Sequence, residues 1–85
     1  MKNISLIEKS GFKRYEIEDF VASMKRKLVM NMKKGRSWYE APTNHFLKGK
    51  LMEEVGEYFK SSNPDELIDI ANICLMLYER RDKDI

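Results

Sequence analysis

A Ser61-Ser62-Asn63-Pro64 breaker divides the second half of this chain into two arms of helical periodicity, and each arm carries two carboxylates three residues apart. Glu54 and Glu57 form an E-x-x-E before the breaker, and Glu66 and Asp69 an E-x-x-D after it. Because a helix turns about 100° per residue, positions three apart share a face. If the breaker is a tight turn, the arms form an antiparallel helical hairpin. Few other folds are open to a segment so poor in glycine, proline and alternating patterns.

The flanking residues extend the same reading. Ile17, Phe20, Val21, Met24, Leu28 and Met32 recur on one stripe, predicting a first helix from about Tyr15 to Lys34 with Gly35 as its stop. Residues 35–42 read as a loop holding Arg36, Trp38 and Tyr39, and Thr43 as the N-cap of a second helix running through Lys60. Asn63-Pro64-Asp65-Glu66 reads as an N-cap, a proline at the first helical position and an acid able to close a capping box. The third helix then runs to about Arg81. The expected fold is all-α: one helical domain over residues 1–85, with 1–14 and 82–85 as peripheral tails.

Composition narrows the class. At 85 residues the chain buries only a modest core, and no stretch reaches the roughly 20 apolar residues of a membrane span. Met1–Ser10 lacks the apolar run of a secretory signal, and a single Cys74 allows no internal disulfide and no thiolate metal site, so a cytoplasmic setting is expected. Sixteen basic and 14 acidic residues leave a net charge of +2, too small to argue for nucleic acid. The basic run over residues 24–36, including Lys25, Arg26, Lys27, Lys33, Lys34 and Arg36, reads first as a solvated helix face and second as a positive rim for a polyanion. The six methionines fit core gap-filling, and His45, without a second His or Cys nearby, reads as a surface residue.

The position of the acids matters more than their number. Glu54 lies within about 40° of Leu47 and Tyr58, while Glu66 falls between Ile70, Ile73 and Leu77 with Asp69 close to Met76. An unpaired ionised carboxylate on such a face costs several kcal/mol. Counted from the turn, Glu57 should stand beside Glu66 and Glu54 beside Asp69, a rectangle of oxygen donors. Hard divalent cations prefer such donors, Mg²⁺ first and Mn²⁺ as an alternative. The plainer alternative is a capping Glu66 with Glu53 and Glu54 paired to Lys50 at helical spacing. A redox di-metal site is disfavoured because no E-x-x-H accompanies the acids.

At these residues the chain resembles the MazG-like, all-α nucleoside triphosphate pyrophosphohydrolases, whose signature is E-E-x-x-E followed after a helix-turn-helix gap by E-x-x-D. The counterparts here are Glu53-Glu54-Val55-Gly56-Glu57 and Glu66-Leu67-Ile68-Asp69, continued by Ile70-Ala71-Asn72. Lys34-Gly35-Arg36-Ser37-Trp38 is similar to the K-G-x-x-W segment of small members, so the resemblance covers roughly residues 30–80. The gap between Glu57 and Glu66 is eight residues, shorter than is usual in the family.

The resemblance implies Mg²⁺-dependent cleavage of a nucleoside triphosphate between the α- and β-phosphates. Glu54, Glu57, Glu66 and Asp69 would be the metal ligands, and Glu53 would orient or deprotonate the attacking water. Asn72 would offer a donor and an acceptor to sugar or base. Lys34, Arg36 and Lys50 are candidate phosphate contacts, and Trp38 either stacks on a base or plugs the loop. Three helices are too few to enclose a nucleotide and a metal cluster, so a homodimer or homotetramer with a four-helix core is expected. The rivals are phosphoribosyl-ATP pyrophosphohydrolase, of similar size and acid pattern, and a non-enzymatic helical module that binds a partner through its basic first helix.

Overall fold

The computed structural model describes residues 2–33 and 43–82. Lys34, the 35–42 loop with Gly35, Arg36 and Trp38, and the last three residues lie outside the described residues. Four helices follow one another: α1 Lys2–Lys9, α2 Arg14–Lys33, α3 Asn44–Ser61 and α4 Pro64–Glu79. The fold is all-α, and among the described residues no helix is long and apolar enough to cross a membrane.

Helix boundaries follow local chemistry. Thr43 Oγ1 accepts the Phe46 N–H at 3.1 Å and caps α3. Ser62 takes a left-handed conformation (φ 54°) and donates its N–H to the Tyr58 carbonyl at 2.7 Å, ending α3 one residue beyond the expected Lys60. Asn63 Oδ1 then accepts the Asp65 N–H at 3.0 Å, and Pro64 opens α4. The expected capping box at Glu66 does not form. The Asn63 N–H is donated to Ser61 Oγ at 3.1 Å, which leaves the Glu66 carboxylate free to turn inward.

Two features went unforeseen at the N-terminus. Part of the expected 1–14 tail is the helix α1, joined to α2 through Gly11, whose φ of +98° suits glycine. Glu16 Oε1 accepts the Lys13 N–H at 2.8 Å, which fastens the first turn of α2.

Packing centres on the α3–α4 hairpin. Leu47, Ile73 and Met76 are buried, with Leu28, Leu51 and Leu77 packed around them. Each fully buried side chain of this size contributes about 1.5–3 kcal/mol. Helix α2 lies against the other side of α4, where Asn72 Nδ2 donates to the Met24 carbonyl at 3.1 Å. Lys27 reaches Asp69 three residues further along α2 and three residues back along α4, so these two helices are antiparallel.

Candidate metal centre

Beside this core three carboxylates converge where apolar side chains would be expected. Oxygens of Glu54 from α3 and of Glu66 and Asp69 from α4 all lie within 4.8 Å of one another. Glu54 is only 7% exposed, and the Asp69 side chain 13%. Two carboxyl groups this close can share a hydrogen bond only when one of them carries a proton.

Helical phase explains which acids meet. Three residues fall about 60° short of a full turn. On α4, Glu66 and Asp69 straddle the direction of Ile73, the buried residue of that face, so both reach the seam with α3. On α3, Glu54 already lies at the seam, and the same step carries Glu57 out to an exposed position. The expected pairing of Glu57 with Glu66 is therefore replaced by Glu54 with Glu66. From there the Glu57 charge still helps to raise the Glu54 carboxyl.

Burial pushes the Glu54 carboxyl up from 4.5 to about 8, reinforced by the hydrogen bond with Glu66 and by the charges of Glu57, Glu66 and Asp69. Asp69 is also raised, chiefly by burial. Lys27 opposes that shift, and Glu66 and Asp65 add to it. The Lys27 ammonium lies 3.8 Å from Asp69 Oδ2. Sequence reasoning placed Lys27 only in a basic run. The available signal was its position one turn beyond Met24, at the margin of the apolar stripe.

The donor set fits a hard divalent cation. Glu54 Oε2, Glu66 Oε2 and Asp69 Oδ1 are buried without a hydrogen-bond partner, each an unmet acceptor that costs stability. Fully ionised, three carboxylates beside one ammonium leave two negative charges, the charge of a single Mg²⁺ or Mn²⁺.

The other candidates are placed differently. Glu53 is exposed and pairs with Lys50 at 3.5 Å, on the outside of α3. Asn72 is 1% exposed, and its amide nitrogen is committed to the Met24 carbonyl, so it ties α4 to α2 one turn beyond Asp69. Its Oδ1 is buried without a partner. His45 is exposed, as expected. Lys34, Arg36 and Trp38 lie outside the described residues.

No family model matches the chain, and neither a curated protein nor a solved structure matches it significantly.

Proposed function

We propose that this chain is a Mg²⁺-dependent nucleoside triphosphate pyrophosphohydrolase of the nucleotide pool, releasing pyrophosphate and a nucleoside monophosphate. The observation that carries the reading is the trio of buried, unpartnered carboxylate oxygens on Glu54, Glu66 and Asp69. Structural acids seldom leave so many acceptors unmet, because each costs about 1–3 kcal/mol. The acid signature and its Asp69-Ile70-Ala71-Asn72 continuation supply the reaction class.

Glu54, Glu66 and Asp69 would hold the cation, with Glu57 adding charge from the rim. A bound Mg²⁺ would offset the charge of the triphosphate and favour ionisation of a water at the site. Lys27, whose ammonium already lies at the cluster, would hold the Asp69 carboxylate in place and offer a positive charge to a phosphate group. Glu53, paired with Lys50, can orient the attacking water once that exposed pair opens. The protein would act as a homo-oligomer in a cytosol-like compartment.

The test is a screen of all NTPs and dNTPs, with phosphoribosyl-ATP beside them, for pyrophosphate release with and without Mg²⁺. The expected result is Mg²⁺-dependent release that falls at least about 100-fold in Glu54→Gln and Asp69→Asn. Full activity in both variants would sink the assignment. Turnover of phosphoribosyl-ATP alone would move it to histidine synthesis.

A further inference from the structure

The two seams of helix α4 are held by different means. Its seam with α3 is apolar: Leu47, Ile73 and Met76 are buried around it, and their burial settles how those helices are turned. Helix α2 brings no fully buried residue to its own seam. Met24, Lys27, Leu28 and Asn31 are part-buried, while Ile17, Phe20, Val21, Val29, Met30 and Met32 are 39–60% exposed. Measured round the axis from Met24, these exposed side chains extend from about −120° at Met30 to about +140° at Val29. A helix with apolar side chains over so wide an arc can turn against its neighbour and bury much the same area. Apolar packing alone therefore underdetermines the rotation of α2.

One polar contact removes that freedom. Asn72 is 1% exposed, and its Nδ2 donates to the Met24 carbonyl at 3.1 Å. The acceptor belongs to the α2 backbone, so the bond holds the helix itself rather than a side chain. Backbone carbonyls recur about every 100° round a helix and about 1.5 Å along it, which restricts α2 to discrete settings. Between those settings both polar atoms of Asn72 would be buried without a partner. A step of one residue offers Asn72 the next carbonyl but swings Lys27 about 100° away from Asp69. In the observed setting Lys27 lies three residues beyond Met24 and Asp69 three before Asn72, and the ammonium stands 3.8 Å from Asp69 Oδ2.

Stability alone does not account for an asparagine here. Its Oδ1 is buried without a partner. A neutral hydrogen bond returns no more than one unmet buried acceptor costs. Leucine would fill a similar volume without that cost. A lone buried asparagine plays a comparable part in coiled coils, where it fixes register at the expense of stability.

We propose that Asn72 is the positioning residue of α2: its amide sets the rotation of that helix and so delivers Lys27 to Asp69. This role differs from the sugar or base contact that the acid signature implies for Asn72. It also stands apart from the hydrolase reading, because the contact it explains is measured in EDTA.

A double-mutant cycle tests it. Lys27→Met, Asp69→Asn and the double variant are unfolded in urea with EDTA, once in the wild-type background and once with Asn72→Leu. The coupling between Lys27 and Asp69 is expected to be at least about 5-fold in the unfolding constant of the wild type, and below about 2-fold with Asn72→Leu. Leu51→Ala loosens the α3 seam instead and should keep the coupling while lowering stability. Coupling that survives Asn72→Leu overturns the proposal, as does coupling lost equally in Leu51→Ala. Should Asn72→Leu fail to fold, the wild-type chain still decides by NMR. The Asn72 side-chain amide protons should exchange as slowly as the best-protected backbone amides and show Overhauser contacts to the Met24–Lys27 turn. Fast exchange, or contacts to another turn of α2, overturns the proposal. Pyrophosphate release is measured separately, so the two readings fail independently.

Discussion

The two sides of the α3–α4 hairpin invert the usual arrangement of a small helical protein. The inner side, against α2, buries Glu54, Glu66 and Asp69 with one lysine among them, whereas the outer side leaves Met52, Phe59 and Tyr78 in contact with solvent. Neither is the lowest-energy choice for an isolated chain, because buried charge and exposed apolar surface both cost stability. Under the proposed function, a bound cation would offset the cost on the inner side. Helix α4 serves both sides, with Glu66 and Asp69 turned inward and Leu67, Cys74 and Tyr78 exposed outside.

The largest effect should come from Glu54. Glu54→Gln is expected to raise metal-free stability at neutral pH by about 1–4 kcal/mol, because the wild-type carboxyl must take up a proton on folding there and Gln need not. The same change should abolish stabilisation by Mg²⁺. Thermal melts with and without Mg²⁺ read both effects, and a less stable metal-free variant would mean that Glu54 supports packing alone.

A pH series sharpens the contrast. Glu54 is raised from 4.5 to about 8 in the folded chain, and Asp69 is raised too. Between the unfolded and folded values the native state holds more protons than the unfolded state. Metal-free stability should therefore be fully present below about pH 4.5 as far as Glu54 is concerned, decline as pH rises, and level off beyond about pH 8. Urea midpoints across this range measure it. Mg²⁺ needs the ionised carboxylates, so its added stabilisation should grow over the same interval.

Smaller changes follow from single contacts. Lys27→Met removes the ammonium beside Asp69 and should cost about 1–2 kcal/mol without metal, moderated by its partial exposure. Mg²⁺ should recover much of that loss, as a melt of the variant in both conditions would reveal. Asn63→Ala deletes the cap of α4 and should cost about 1 kcal/mol. Its Mg²⁺ response should match that of the wild type, and an altered response would mean that the α4 start sets the acid geometry.

Much of the fold was legible because its signals are local. Thr43, Asn63 and Pro64 act on backbone groups within three residues, so the starts of α3 and α4 could be placed without knowing their neighbours. α1 escaped notice because its eight residues offer barely two turns of periodicity. Glu66 could either close a capping box or turn inward, since both use the same carboxylate. Ser61 settled that competition by accepting the Asn63 N–H.

The sequence by itself determined α2, α3 and α4, the hairpin turn and the presence of carboxylates at the margin of apolar stripes. These depend on hydrogen bonds and side-chain periodicity within a few residues. Tertiary structure decided that Glu54, Glu66 and Asp69 meet while Glu57 stays outside, that Lys27 joins them from α2, and that Asn72 is spent on packing. Those outcomes turn on how each helix is rotated about its axis against its neighbours. The whole core fixes that rotation, and a shift of about 60° separates a buried carboxylate from a solvated one.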